Sequence, residues 1–208
     1  MRQLRADRLA LFVAAATVAF MAVPTSAAAQ SSTTRGLSLA LYLQGASLEV
    51  EGGDPGSGGG AGLRVGYGFN RIVTGFIRFD GSKTDIEDAT VEGQWTLGHA
   101  EIGARFHFAN SLRRWVPWLE AAAGARAVSV SDAVVEGEQE TADVTFSGSA
   151  FSLGGGLDVY LSQNWALDVG LAWTSGEFNE IEVGALSLSG LDIDARSFRF
   201  NVGVAWWP

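Results

Sequence analysis

Cysteine is absent from the 208-residue chain. A disulfide framework, a thiolate metal site and a cysteine nucleophile are therefore excluded. Charged residues are also scarce, at 18%, although the formal net charge is -9. Because 47% of the residues are hydrophobic, the chain is not expected to be disordered. Its length suits one domain of ordinary size.

Long apolar runs are missing except near the N-terminus. There the basic segment "MRQLRADR" precedes the apolar segment "LALFVAAATVAFMAV" and the small residues of "PTSAAAQ", which is the order of a secretory signal. The apolar segment has about 15 residues, fewer than the roughly 20 that a membrane-spanning helix needs. We therefore expect a signal peptide at residues 1–29, cleaved after Ala29, and one domain at residues 30–208.

The rest of the chain shows no amphipathic helix pattern and instead alternates. In "NWALDVGLAW" the residues Trp165, Leu167, Val169, Leu171 and Trp173 occupy every second position, which is the period of a strand with one apolar face. Similar segments recur, so that eight strands are predicted, at residues 36–50, 62–70, 72–80, 99–108, 116–128, 151–161, 164–173 and 197–208.

The links between these strands alternate in length. The links "NR", "ANSLRR" and "SQN" are short, whereas "EGGDPGSGGG" and the segments at 81–94, 131–148 and 179–195 are long. Membrane barrels have short periplasmic turns, long outer loops and strands of about 9 to 11 residues. The sequence therefore predicts an all-β fold, an eight-stranded antiparallel up-and-down transmembrane β-barrel, with both termini on the short-turn side.

Ten charged residues of the predicted strands lie off the apolar face and are expected to face the lumen. An arginine facing lipid at the centre of the bilayer costs about 2 to 4 kcal/mol, so the register that turns all ten inward is strongly favoured. We predict a luminal salt-bridge network of five arginines and five acids: Arg64, Arg78, Asp80, Glu101, Arg105, Glu120, Arg126, Asp158, Asp168 and Arg199.

Turn positions suggest how these charges pair. A tight turn at residues 162–164 sets Asp158 opposite Asp168, and the "NR" turn sets Arg64 near Arg78. Like charges directly opposed destabilise a strand pair, so we expect the two arginines to meet the two aspartates across the lumen and to block a continuous pore. A second, local set is expected from strands four and five: Glu101, Arg105, Glu120 and Arg126.

Aromatic residues on the apolar face lie near both strand ends, as in the two interfacial girdles of a membrane barrel. The predicted lower girdle contains Phe69, Phe108, Trp165 and Trp206, and the upper girdle contains Phe79, Phe151 and Trp173. A soluble, lipocalin-like barrel would instead turn the apolar face inward. We disfavour it because the charged face is rich in glycine and alanine, as expected where side chains crowd in a narrow lumen.

The signal peptide, the eight alternating strands and the aromatic-rich final strand "FRFNVGVAWWP" resemble the small outer-membrane β-barrels, such as the OmpA transmembrane domain, the OmpX-type proteins and the opacity-type adhesins. The resemblance implies a multi-pass protein of the cell outer membrane with both termini periplasmic, inserted by the barrel-assembly machinery. Its lipid partners would include lipopolysaccharide. The final strand departs from the family's insertion signal because Pro208 follows Trp207, where a terminal aromatic residue is usual.

Acidic residues concentrate in the long links, which hold or border 17 of the 23 acids but only Lys83 and Arg196 as bases. A solvated acidic surface is one interpretation. The other is binding of divalent cations at the acidic loops, since Ca²⁺ and Mg²⁺ prefer carboxylate oxygens. Nucleic acid is not an expected partner because the acidic surface would repel phosphates. We expect a monomer.

Catalytic motifs are not found. The segment "GGDPGSGGG" lacks the lysine and Ser/Thr of a phosphate-binding loop, and His99 and His107 face the lumen by parity, so neither a cofactor nor a metal is expected. Three functions remain: a structural or surface-interaction barrel with a largely plugged lumen, a narrow channel for small molecules, and a lipid-modifying outer-membrane enzyme. The first is preferred because an eight-stranded barrel has room for little besides its own side chains.

Overall fold

A computed structural model describes residues 34–50, 56–85, 92–108, 114–134, 141–183 and 186–208. The predicted signal peptide at residues 1–29 lies outside these residues. Within the described part of the chain, no helix is long and apolar enough to cross a membrane.

Eight antiparallel strands close into a barrel, which confirms the predicted fold class. Each strand pairs with the next, and the last pairs with the first. The strands are β1 Gly36–Val50, β2 Gly56–Gly68, β3 Val73–Asp85, β4 Glu92–His107, β5 Trp115–Val134, β6 Thr141–Tyr160, β7 Trp165–Val183 and β8 Leu186–Trp206. We call the end with the short links after β2, β4 and β6 the lower end, and the opposite end the upper end.

In the lower part of the barrel, the outward side chains are apolar and the ionic side chains face inward. Leu41 and Ile102 are each 67% exposed, whereas their neighbours Tyr42 and Glu101 are 7% and 1% exposed. This alternation is the pattern of a wall that meets lipid outside and packs side chains inside. The register expected from the sequence is therefore the register of the strands.

The upper halves of the strands are longer than predicted. β5 to β8 each have 19 to 21 residues, and most of the segments at 131–148 and 179–195 are paired strand, so their interpretation as long links was wrong in extent. Glu177, Glu180 and Glu182 lie on β7, and Asp192 and Asp194 lie on β8, not in loops. The tips at residues 51–55, 86–91, 135–140 and 184–185 lie outside the described residues.

The physical reason is that the apolar parity inverts along the strands. On β4 the outward Ile102 is apolar, but farther up the outward Thr96 is polar and the inward Leu97 is 1% exposed. On β7 the apolar side changes from the outward Trp173 to the inward Phe178. A strand prediction based on one continuous apolar face therefore ends where the parity inverts, although the backbone pairing continues.

The interior has three layers, which we name from their order along the strands. On β5, which runs upward, Val116 is followed by Glu120 and then by Val128. β8 runs downward and passes the same three layers from the upper one to the lower one. The lower layer is apolar and contains Ala40, Val116, Tyr160, Ala166, Ala205 and Trp207. The charged layer holds nine of the ten predicted ionic residues, and the tenth, Arg126, lies at its border with the upper layer. The upper layer is apolar again and contains Ala46, Leu48, Leu97, Val128, Phe178 and Ala195, with Val50, Trp95, Phe146 and Ile193 against it.

Candidate functional site in the barrel lumen

The ten ionic residues predicted for the lumen all lie inside the barrel. Their exposed fractions run from 0% for Asp158 to 9% for Asp80. Buried charges are stable only when they are paired and hydrogen-bonded, so the partners of each residue decide what the lumen does.

Arg78 on β3 occupies the middle of the charged layer. Its Nε donates to Oε2 of Glu101 at 2.8 Å, and its Nη1 donates to Oε1 of Glu120 at 2.5 Å. Its Nη2 also donates to Glu101. One guanidinium therefore joins β3 to β4 and β5 through bonds that are charge-assisted, the strong class of protein hydrogen bonds.

Arg199 on β8 carries the network across the barrel. Its Nη1 donates to Oδ2 of Asp80 at 2.6 Å, and its Nη2 donates to Oε1 of Glu101 at 2.9 Å and to Oγ1 of Thr174 at 2.8 Å. Asp80 is also 3.0 Å from Nδ1 of His99. The last strand is thus tied to β3 and β4, which are not its neighbours in the sheet.

Arg105 on β4 forms the lower side of the network. Its Nη1 donates to Oδ2 of Asp168 at 2.9 Å, and its Nε and Nη2 donate to Oε2 of Glu120 at 2.9 and 2.8 Å. Asp168 also accepts a bond from Nη2 of Arg64 at 2.5 Å. Two arginines from β2 and β4 therefore neutralise one aspartate of β7.

The cross-lumen pairing differs in part from the sequence expectation. The register sets Asp158 opposite Asp168 and Arg64 opposite Arg78, as the turns predict. Asp168 meets Arg64 across the lumen, but Arg78 bonds Glu101 and Glu120. Glu101 is the register partner of Arg78 on β4, so the acid beside Arg78 on the neighbouring strand takes the place of the distant aspartates.

Arg126 does not join the local set that the sequence predicted for β4 and β5. Its Nη2 donates to the main-chain oxygens of Gly176 and Ala195 at 3.0 and 3.2 Å, and its guanidinium lies over the Phe178 ring, 4.6 Å from the centroid. Among the described residues it has no carboxylate within 4.0 Å. Arg126 therefore lies at the border with the upper layer.

Trp118 is a luminal residue that the sequence argument missed. Its side chain is buried at 2% exposure, and the guanidinium carbon of Arg105 lies 3.4 Å from its ring centroid. A Cβ on Gly156 or Gly170 would come within 2.4 or 2.5 Å of the indole. The two glycines leave room on the inner wall for this ring. Gly156 pairs with Trp118 between β5 and β6, and a glycine opposite a tryptophan is the feature that could have indicated a luminal indole.

The predicted girdle residues lie on the outer face. Six of the seven are exposed, namely Phe69, Phe79, Phe108, Phe151, Trp165 and Trp173. Trp206 is partly buried because it stacks on Trp165, with ring centroids 5.8 Å apart. Further exposed aromatic residues that the sequence argument did not assign to a girdle are Tyr67, Phe106, Trp115, Phe198 and Phe200.

Metal binding by several side chains is not supported. The described residues contain no group of three or more His, Cys, Asp or Glu side chains that could hold a metal ion. His99 lies beside Asp80, and His107 lies 3.4 Å from Asp158. His99 is therefore a member of the luminal polar network, and His107 lies beside the network without a hydrogen bond from its ring.

Solved structures with the same fold are outer-membrane barrels. The Neisserial surface protein A, NspA, superposes with a TM-score of 0.61 at 16% identity, covering 82% of this chain and 96% of NspA. Ail, the attachment invasion locus protein of Yersinia pestis, gives a TM-score of 0.53 at 14% identity, covering 83% and 100%. OprG of Pseudomonas aeruginosa gives 0.50 at 10% identity, covering 84% and 97%.

Sequence comparison gives the family directly. No curated protein sequence matches the chain significantly. The profile of the family described as outer membrane protein beta-barrel domain, however, matches residues 13–205, which is most of the chain and includes all ten luminal charges. The chain therefore belongs to the outer membrane protein β-barrel domain family.

Proposed function

We propose that the protein is a closed, non-conducting and non-enzymatic barrel whose upper hairpins serve a structural and surface-interaction role. The observation that carries this proposal is the filled lumen, in which a charged layer lies between two apolar layers. Each layer opposes the passage of an ion for a different reason.

The charged layer opposes passage because its ion pairs are short and buried. The N–O distances from Arg64 and Arg105 to Asp168 are 2.5 and 2.9 Å, too short for a water molecule to lie between the atoms. An ion that crossed the layer would have to separate such pairs, and breaking a buried pair costs about 3 to 5 kcal/mol. The apolar layers add a barrier because they offer a hydrated ion no polar partners.

A surface-interaction role is supported by the projecting hairpin of β7 and β8. It carries Glu177, Glu180 and Glu182 on one strand and Asp192 and Asp194 on the other. Such a surface favours cationic partners, including divalent cations that bridge to lipopolysaccharide phosphates. Ail is the attachment invasion locus protein, and its structure has been solved in complex with the heparin analogue sucrose octasulfate. Because the hairpin here is acidic, we expect a different partner chemistry.

Electrical recording in planar bilayers tests the closed lumen. The folded barrel in symmetric 1 M KCl is expected to show no current steps above the bilayer leak, whereas a porin in the same bilayer shows them. Reproducible steps from the wild-type barrel would favour the narrow channel instead.

Orientation is part of the proposal, with the termini and the short turns in the periplasm. The β2–β3 and β6–β7 links are short and share the end where β1 begins and β8 ends, as in outer-membrane barrels. Because the chain contains no cysteine, single variants can be labelled cleanly. On intact cells, an impermeant maleimide is expected to label Asp192→Cys but not Arg71→Cys, both of which replace exposed side chains. The reverse result would invert the topology.

Outer-membrane lipids are the proposed partners of the outer wall, and a monomer is the proposed state. Exposed apolar side chains occur on every strand: Leu41, Leu63, Ile77, Ile102, Leu119, Leu153, Leu171 and Phe200. A belt of apolar side chains around the whole barrel matches lipid on every side and leaves no polar face for a second barrel.

Light scattering of the micelle-bound protein measures its mass, and the mass of a dimer would contradict the proposed monomer. Insertion by the barrel-assembly machinery is expected as for other members of the family.

A further inference from the structure

The charged layer contains one carboxylate more than its arginines neutralise. Four arginines contact the five acids: Arg64, Arg78, Arg105 and Arg199 each lie within 4.0 Å of at least one carboxylate oxygen. The fifth arginine, Arg126, bonds main-chain carbonyls at the border of the upper layer instead. With all five acids ionised, the contiguous network would carry one negative charge in excess.

The excess charge lies at Asp158. Its side chain is fully buried, and neither carboxylate oxygen accepts a hydrogen bond from any described residue. The nearest arginine nitrogen is Nη1 of Arg105, 3.7 Å from Oδ1, which is beyond hydrogen-bond reach. This Nη1 donates to Asp168 instead, and Nε and Nη2 of Arg105 donate to Glu120. An ionised, buried carboxylate without a partner is strongly destabilising, so we expect Asp158 to take up either a proton or another cation.

Other polar groups around Asp158 also lack partners. Nε2 of His107 lies 3.4 Å from Oδ2 of Asp158, and neither ring nitrogen of His107 has a hydrogen-bond partner among the described residues. The indole Nε1 of Trp118, on the adjacent strand, is buried and unpartnered as well. Asp158 and His107 therefore lie side by side in the lower lumen without a hydrogen bond from either side chain.

The charged groups around this region come from several strands. β7 contributes Asp168, and β4 contributes Arg105 and His107. β5 contributes Glu120, which is held by Arg105, and β2 contributes Arg64, which is held by Asp168. On β6 itself, Tyr160 lies two positions from Asp158 and stacks on Trp207, with centroids 5.4 Å apart. Neither Arg64 nor Arg105 is left over to pair with Asp158.

We propose that the lumen holds a binding site for one monovalent cation beside Asp158. The ligand chemistry is a single positive charge, supplied either by a proton that binds the carboxylate or by an alkali ion such as Na⁺. A multivalent metal is disfavoured because no three metal-binding side chains converge in the described part of the chain. This site goes beyond the proposed scaffold role, since a bound cation that does not cross the barrel produces no conductance.

Paired substitutions of the two opposed aspartates test the excess charge. Asp158→Asn removes it and should leave the unfolding equilibrium constant of the detergent-folded barrel unchanged or lower. Asp168→Asn, the matched control, leaves Arg64 with no carboxylate and should raise that constant at least about tenfold. Gel migration of unboiled samples shows whether each variant folds. If Asp158→Asn were as destabilising as Asp168→Asn, or failed to fold where Asp168→Asn folds, the proposal would be overturned.

Two arms identify the source of the charge in the full mature barrel. One replaces Na⁺ by N-methylglucamine at constant pH and ionic strength, and the other changes pH from 8 to 5 at constant Na⁺. A cation at ten times its Kd lowers the wild-type unfolding constant roughly elevenfold, and we expect that response in one arm. The response should be absent from Asp158→Asn. A wild type insensitive in both arms, or an equal response in Asp158→Asn, would refute the site.

Discussion

The lower and upper parts of the barrel use the same eight strands with opposite chemistry. In the lower part, apolar residues such as Ile102 face outward and ionic residues such as Arg78 face inward. In the upper part, Thr96 and Glu177 face outward, and Leu97 and Phe178 pack inside. The lower part is therefore organised for lipid and the upper part for water, as in a soluble barrel. Strand pairing is common to both parts, but the interactions that stabilise the interior differ.

The largest expected effect is the loss of Arg78 from the charged layer. Arg78→Ala leaves Glu101 with only Arg199 and Glu120 with only Arg105, and breaking a buried ionic network in this way costs about 3 to 5 kcal/mol. Arg78→Lys should recover little, because a lysine cannot reproduce the fork of donors. Urea unfolding in detergent micelles measures both variants. A cost below about 1 kcal/mol for Arg78→Ala would mean that the layer is hydrated and that ion pairs do not stabilise the interior of the lower part.

In the upper layer, volume should matter and charge should not. Leu97→Ala removes a side chain that is 1% exposed and should cost about 2 to 5 kcal/mol, the usual range for a buried leucine. Leu97→Met preserves the volume and should cost less than about 1.5 kcal/mol. Unfolding curves of the two variants give the difference directly. Equal destabilisation by both would show that this layer is not a close-packed core.

The outer faces can be compared on a single strand. Ile102→Arg places a charge against lipid and should cost about 2 to 4 kcal/mol. Thr96→Arg, six residues farther up β4 on the same face, should change stability by no more than about 0.5 kcal/mol because its side chain is exposed to water. Unfolding from lipid bilayers measures both. If Thr96→Arg were as costly, the upper wall would also lie in lipid.

Two glycines give the smallest expected effect. A Cβ on Gly156 would lie 2.4 Å from the Trp118 ring and 2.1 Å from the Val169 oxygen, whereas the nearest atom to a Cβ on Gly98 is 3.8 Å away. Gly156→Ala should therefore cost about 1 to 3 kcal/mol through overpacking, and Gly98→Ala should be neutral or slightly stabilising. The tryptophan emission spectrum, to which all seven tryptophans contribute, should shift only in the first variant. Similar stabilities would mean that the indole moves aside freely.

Sequence patterns predicted the lower part well because its two faces differ throughout. Alternation in segments such as 164–173 identified the lower halves of the strands and turned the ten charges inward. The upper halves were missed because the parity inverts, as between Ile102 and Leu97, so that no single apolar face continues. Parity also assigns a side to each charge without choosing its partner, which is why Arg78 and Arg126 differ from their expected pairings.

Arg199 has a consequence for assembly. It lies on the last strand, and its carboxylate partners Asp80 and Glu101 are 119 and 98 residues earlier in the chain. Arg64 likewise has its carboxylate partner, Asp168, 104 residues later in the chain. Contacts between such distant segments form late because the intervening chain must first be ordered. Until β8 joins β1, Asp80 and Glu101 lack Arg199, so a partly formed sheet that entered lipid would expose charge that is not fully compensated. Closure of the barrel thus completes the pairing of its interior charges, which penalises the insertion of incomplete chains.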